Sequence, residues 1–226
     1  IALNMNTESD INVELANIKT SYDLLSNQYY THASPTYYNA GGIHRQYASC
    51  FLLGTEDSLE GIEKTGTDMS RISKWAGGIG VHINNWRGTG AKIRGTNGKS
   101  SGIVPFLRTY DTRMLAFNQG GRRPGSAAIY LMPHHPDTVK FIQLRGNHGV
   151  EKERARDLFY ALWIPNIFME RVKVNAIWSL FDPDKCGDLS ELWGDKYRAR
   201  YLELESKKMY SSQIKAQDLW EIIKES

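Results

Sequence analysis

From Asp57 to Asn84 the chain reads DSLEGIEKTGTDMSRISKWAGGIGVHIN. Leu59, Ile62, Met69, Ile72 and Ala76 recur at intervals of three, four or seven, which puts them on one face of an amphipathic helix. Asp57 followed by Glu60 is a capping-box signature at its start. The run Gly77-Gly78-Ile79-Gly80 cannot continue it, because each interior glycine costs about 1 kcal/mol relative to alanine. Ile79, Val81 and Ile83 then alternate with Gly80, His82 and Asn84, the period of two expected of a strand. Beyond the strand, up to Gly102, the cations Arg87, Lys92, Arg94 and Lys99 are interleaved with Gly88, Gly90, Gly95 and Gly98. Exposed backbone N–H groups among cations can hold a phosphate. A solvated surface loop has the same composition, so both readings stay open here. Two familiar phosphate motifs fail: Gly98-Lys99-Ser100 lacks the P-loop glycine, whose place Ile93 takes. Gly78-x-Gly80 has Ile83 where a dinucleotide fingerprint needs its third glycine, and lies between helix and strand in the wrong order.

The chain has 226 residues, 41% hydrophobic, with 20 glycines and 2 cysteines. A net charge of +3 with dispersed basic residues gives no footprint for nucleic acid. Cys50 and Cys186 are too far apart for a redox C-x-x-C pair, and so few cysteines suit a reducing compartment. No apolar run approaches about 18 residues and no signal peptide is visible. Both ends read as cut: the chain starts at Ile1, and the apolar stripe Leu219, Trp220, Ile222 and Ile223 lies directly before Ser226.

Outward from the opening stretch, Val13 to Leu25 is predicted as a core-facing helix through Leu15, Ile18, Tyr22 and Leu25. Tyr29 to Thr36 is predicted to be extended, Asn39 to Gly42 a turn, and Gln46 to Leu53 a buried strand. A lone cysteine such as Cys50 on such a strand is ordinarily an inert small hydrophobe. Val104 to Phe117 is a second helix. The segment Asn118 to Gly125, with three glycines, two arginines and a proline, is a long connection or a binding loop for an anion. Ala127 to Leu131 is a strand and Pro136 to Leu144 a helix. The neighbouring His134 and His135 have no carboxylate at metal-ligand spacing and read as structural or surface residues. Gly146 to Arg156 is a charged loop, Leu158 to Ile164 a buried strand, and Pro165 opens another helix; strand and helix in alternation is the rhythm of α/β folds. Asp182 to Tyr210 reads as peripheral helices.

Six strings then combine in order: Thr31-His32-Ala33-Ser34-Pro35-Thr36; Ser49-Cys50-Phe51-Leu52-Leu53; Ser73-Lys74-Trp75-Ala76-Gly77-Gly78-Ile79-Gly80; Gly95-Thr96-Asn97-Gly98; Gln119-Gly120-Gly121-Arg122-Arg123-Pro124-Gly125; and Arg154-Ala155-Arg156-Asp157-Leu158-Phe159 with Ala161-Leu162-Trp163-Ile164-Pro165. Together they resemble the large subunit of class I ribonucleotide reductase over almost the whole chain. The resemblance implies an α/β fold that is part of a ten-stranded α/β barrel with helices outside, preceded by a helical segment. Residues 1–28 would be that segment and 29–226 the first part of the barrel, in one incomplete domain.

It further implies radical reduction of ribonucleoside diphosphates under allosteric control by deoxynucleoside triphosphates or ATP with Mg²⁺. Cys50 would be one of two redox thiols, and Ser34, Ser49 and Gly78 would contact substrate. Asp57, Ser58, Leu59, Lys74, Arg87, Arg94 and Gly95 would hold the effector at a homodimer interface. Gln119, Arg122 and Arg123 would belong to the loop joining effector to substrate. Asn118, where an acid is common, and a loop one residue short depart from the pattern. The implied partners are a small subunit whose metal centre supplies the radical, and thioredoxin or glutaredoxin, with no covalent cofactor and no metal site here, in the cytoplasm. The Asn-Leu-Cys-Thr-Glu radical string and the N-terminal effector-binding cone are missing, so this chain alone is expected not to turn over. Two other readings stand beside this one: a non-catalytic nucleotide-binding or dimerisation module, and one half of a split reductase.

Overall fold

The computed structural model describes residues 2–5, 8–118, 121, 124–147 and 149–226. After α1 (Ala2–Met5), α2 (Ile11–Ser26) and α3 (Ser34–Asn39), strands and helices alternate: β1 (Cys50–Gly54), α4 (Leu59–Lys74), β2 (Gly78–His82), α5 (Val104–Ala116), β3 (Ala127–Leu131), α6 (Thr138–Ile142) and β4 (Phe159–Leu162). The four strands form one parallel sheet in chain order, with Cys50 opposite Gly78, Ile79 opposite Ala127 and Ala128 opposite Phe159. A parallel sheet in sequential order, each strand followed by a helix, is the wall of an α/β barrel that the described residues leave open.

One face of the wall is dry. Ile79, Val81, Ala127, Ile129 and Leu131 pack with Ile62 and Met69 of α4 and with Leu107, Tyr110 and Met114 of α5. Met69 and Val81 are fully buried, each worth roughly 1.5–3 kcal/mol by removal of apolar surface from water. α4 spans 16 residues and ends where Ala76 turns left-handed at φ 65°. The Gly77 N–H then closes onto the Ile72 carbonyl at 3.2 Å. A Cβ on Gly77 would lie 2.6 Å from Ile72 Cγ2, so this glycine serves a close approach while the alanine before it makes the turn.

Several sequence expectations change. Ser58, not Asp57, caps α4, its Oγ accepting the Gly61 N–H at 3.0 Å. α2 forms as predicted but buries none of its residues, since Leu15 and Tyr22 face solvent. Ser34 begins a short helix where an extended segment was expected, because Pro35 suits its first turn. β1 and β4 are the two edges of the sheet; three of the five residues of β1 are exposed and none of those of β4 is buried, so neither is the buried strand that was expected.

The segment expected to be peripheral builds a second core. α7 (Asn166–Lys173), β5 (Ile177–Leu180), α8 (Pro183–Cys186), α9 (Gly194–Ser206), β6 (Ser212–Lys215) and α10 (Ala216–Glu225) enclose Phe168, Trp178, Phe181, Tyr197, Tyr201, Leu204 and Leu219. β5 and β6 pair antiparallel, Ile177 opposite Lys215. Arg171 grips Glu205 through two bonds of 2.7 and 2.6 Å, and Glu205 also accepts from the Ser179 hydroxyl at 2.6 Å. Such a bidentate, hydrogen-bonded pair locks α7, β5 and α9 together.

His134 and His135 sit at the seam of the two cores. His134 Nδ1 meets the Tyr197 hydroxyl at 2.9 Å, and its carbonyl accepts from Phe181 N–H at 2.7 Å. Burial, then the neighbouring His135, pushes the His134 imidazole down to about 3. A folded pKa below the unfolded value means that the unfolded chain takes up a proton the fold refuses. Stability is therefore complete above about pH 6.5 and falls as the pH drops from there toward 3, by up to about 1.4 kcal/mol per pH unit for this group. Urea unfolding at pH 7.5, 6.0 and 5.0 is expected to show this loss, with a shallower pH slope in His134→Gln, since the second buried histidine, His135, continues to contribute.

Candidate functional site

The second face of the sheet is bare. Cys50, Leu52, Gly78, Gly80, Ala128, Tyr130 and Phe159 share its parity across the register, and Leu52 is 86% exposed. Small residues on the first two strands leave this surface concave beside Trp163 and Trp193, where a cavity of about 610 Å³ opens over Leu52, Gly80, His82 and Tyr130. Cys50 lies exposed at the start of β1 with its sulfur 3.5 Å from Ser49 Oγ. Cys50 is therefore not the buried residue that the strand reading expected. Gly78, its partner in register, donates its N–H to the Ser49 carbonyl at 2.6 Å. Ser49, Cys50 and Gly78 thus form one cluster on the open face. Ser34 is the first residue of α3, half-buried; that helix is tied in by Asn39, whose amide donates to the carbonyls of Gln46 at 2.7 Å and Trp75 at 3.1 Å. Cys186, by contrast, is buried in the second core, and burial raises its thiol pKa.

A second cavity, about 390 Å³, lies at the N-terminus of α4. Asp57, Ser58, Leu59 and Arg87 line it, four of the residues that the sequence pointed to. Its other walls come from Trp86, Ile93 and Lys99 to Gly102, and from Pro105 and Phe106 at the head of α5. Arg87 Nε donates to Asp57 Oδ2 at 2.6 Å and Nη1 to the Lys92 carbonyl at 2.9 Å. Asp57, freed from the capping role, instead orients the guanidinium. The helix N-terminus adds unpaired N–H groups and the positive end of the macrodipole.

Three further predicted residues lie elsewhere. Lys74 ends α4, more than four turns from Asp57, with its ammonium over the Trp75 ring at 5.2 Å. Arg94 and Gly95 sit at the exposed tip of the glycine loop, where Arg94 approaches Asp184 at 3.6 Å. Gln119, Arg122 and Arg123 lie outside the described residues. Next to them Asn118 Oδ1 accepts the Gly121 N–H at 2.9 Å, and the Phe117 carbonyl accepts from Ser73 Oγ at 2.7 Å, so the end of α5 lies against the C-terminal end of α4.

Sequence reasoning missed the apolar walls Trp86 and Phe106 and the residues holding the loop's base. His135 Nε2–H donates to the Trp86 carbonyl at 2.7 Å, and Asp182 Oδ2 accepts the Gly88 N–H at 3.2 Å. Asp137 Oδ2 accepts the N–H of Thr89 at 2.9 Å and of Ile103 at 3.4 Å. An aspartate two positions after a histidine pair, across Pro136, was the available signal. Among the described residues no group of three or more His, Cys, Asp or Glu side chains is placed to hold a metal ion, and no helix is long and apolar enough to cross a membrane.

Comparison with known proteins bears on this geometry. The family described as ribonucleotide reductase, barrel domain, matches residues 48–226. The chain is 50% identical over 205 residues to the ribonucleoside-diphosphate reductase large chain of Cryptosporidium parvum, covering 90% of this chain and 26% of that protein. It is 50% identical over 208 residues to the Variola virus large subunit, covering 91% and 27%, and 47% identical over 209 residues to that of Arabidopsis thaliana, covering 92% and 26%. The chain thus spans about a quarter of the length of the curated relatives it matches. The parallel wall with its helix-covered face and the match across it agree: this chain belongs to the ribonucleotide reductase large-subunit family and carries part of the barrel domain.

Proposed function

We propose that this chain serves in ribonucleoside-diphosphate reduction, holding a nucleoside triphosphate effector in the cavity at the head of α4 and presenting Cys50 to substrate on the bare face of the sheet. The observation that carries the reading is the convergence in one cavity of a helix N-terminus, the oriented Arg87 guanidinium, Lys99 and the aromatic walls Trp86 and Phe106. A volume of about 390 Å³ suits a nucleotide. Cations and free N–H groups bind phosphates, and aromatic and apolar surface takes the sugar and base. The Mg²⁺ that accompanies a triphosphate would be carried by the phosphate oxygens, since the described residues build no carboxylate cage for it.

At the open face two thiols become one disulfide, giving up two electrons and two protons while the ribose 2′-hydroxyl leaves as water. Cys50 is the exposed thiol suited to this, and Cys186 in the second core is not its partner, so a cysteine beyond these residues completes the pair. The radical that starts the reaction is supplied by a small subunit's metal centre, and thioredoxin or glutaredoxin restores the thiols in the cytoplasm, where the poise is reducing. Lys74, Arg94 and Gly95 then act in the effector site of an assembled homodimer, and Gln119, Arg122 and Arg123 carry the effector's identity to the substrate. Phe117, which precedes this segment in the chain, accepts a hydrogen bond from Ser73, a few residues before Gly77 and Gly78 at the substrate face, which favours that route.

Calorimetric titration of deoxythymidine triphosphate into this chain is expected to saturate. In the double variant Asp57→Ala, Arg87→Ala it is expected to weaken at least about tenfold, since a lost charge-assisted contact costs about 1.5–3 kcal/mol. In this chain completed by the rest of a large subunit, which supplies the radical cysteine and the second redox thiol, and reconstituted with a small subunit, Cys50→Ser is expected to leave effector affinity unchanged and abolish thioredoxin-dependent turnover. Effector binding with turnover that survives Cys50→Ser would refute the assigned thiol, and the absence of reductase activity after reconstitution would favour a nucleotide-binding module.

A further inference from the structure

The effector cavity lies between two arms of one loop: Trp86, Arg87 and Ile93 on the outgoing arm, Lys99 to Gly102 on the returning arm. The arms touch at Ile93 N–H to the Gly98 carbonyl at 2.9 Å, and at reciprocal bonds of 2.8 Å joining Gly90 to Ser100 and Ser100 to Ala91. Nothing in these bonds fixes where the loop stands relative to α5, whose head supplies Pro105 and Phe106. On the apolar side Trp86 packs edge-on against Phe106 and Tyr110 of α5, and on the polar side one carboxylate ties the loop to the step into α5. Asp137, 3% exposed, accepts both the Thr89 N–H at the loop's start and the Ile103 N–H at the step into α5 through the same oxygen. Lys140 bridges Thr89 and Asp137 themselves, donating to Thr89 Oγ1 at 2.7 Å while its ammonium stays 3.6 Å from Asp137 Oδ1. Gly102 adopts φ 79°, and a Cβ there would overlap Asp137 Oδ2 and Thr89 Oγ1, so the backbone is shaped to let the carboxylate in.

We propose that Asp137, which does not line the cavity, is a positioning residue for effector binding: its Oδ2 cinches the two ends of the 89–103 loop against α5 and so holds both walls of the site at ligand-binding distance. The proposal rests on the reading of this cavity as the effector site. A buried carboxylate accepting two N–H groups is stronger than a neutral acceptor, and its loss leaves both amides unpaired. The ligand affinity then includes the cost of drawing the loop closed.

The test combines deoxythymidine triphosphate titration with amide hydrogen exchange, on this chain and on Asp137→Leu, which keeps the size and removes the acceptor. Asp137→Asn keeps an oxygen that can accept the same N–H groups. The expected result is binding weakened about tenfold or more in Asp137→Leu and kept within about threefold in Asp137→Asn. In Asp137→Leu, exchange should quicken at the Thr89 and Ile103 amides while the amides of α9 are unchanged. Should Asp137→Leu not fold, Asp137→Ser, too short to reach both amides, takes its place. Equal affinity in the acceptor-less variant, equal loss in Asp137→Asn, or exchange rising throughout the chain would each overturn the proposal. If the unaltered chain binds no triphosphate, the effector reading itself fails; unchanged exchange at Thr89 and Ile103 would then also refute the clamp, and local quickening would sustain it.

Discussion

Parallel strands cannot be joined by a tight turn, and this constraint shapes everything else in the chain. Each step from one strand to the next must cross over, and the crossovers α4, α5 and α6 all pack on the same side of the sheet in one continuous core. That side is therefore dry and built from Ile79, Val81, Ile129 and Leu131. The opposite side receives no cover from these residues and carries cysteine, glycine and alanine where the core side carries isoleucine and valine. A thiol can be reactive only where a substrate can reach it, and the same asymmetry that closes the core leaves Cys50 accessible.

The cavity at the head of α4 has a different origin. It exists because the connection from β2 to α5 is long, with a bare polar backbone that must be satisfied somewhere. His135, Asp137 and Asp182 take up the backbone groups at its base, and all three reach it from the far ends of strands or from the second core. The second core is thus part of the site's support: Asp182 caps α8 and His134 is held by Tyr197 of α9. Removing buried hydrogen-bond acceptors from such a base would strand donors in the interior, which is why polar residues persist there.

Much of this was legible in the chain. The helix period from Leu59 to Ala76 and the alternation from Ile79 to Ile83 named α4 and β2, and Ala127 to Leu131 was read at its exact bounds because a short β-branched and alanine run sits between turn signals. Other elements were hidden. Ser212 to Lys215 is a strand only because Ile177 to Leu180 lies beside it, and four mostly polar residues carry no period of their own. Tyr197, Tyr201 and Leu204 looked like the apolar side of a surface helix, yet they are fully buried, since charged α9 covers a core with just this stripe. Asp57 and Ser58 both fit a cap by composition, and only the Arg87 side chain arriving across 30 residues decided between them.

By itself the sequence determined the local order of helices and strands, the family, and that Cys50, Asp57 and Arg87 deserved to be singled out. It could do so because periodicity, turn chemistry and motif strings are properties of neighbours along the chain. The tertiary structure alone decided which face of the sheet stays open, that Lys74 and Arg94 stand apart from Arg87 while Ser58 and Leu59 join it, and that Asp137 and His135 hold the loop. These outcomes depend on contacts between residues tens of positions apart, and burial and hydrogen-bond satisfaction select among them only once the whole chain has packed.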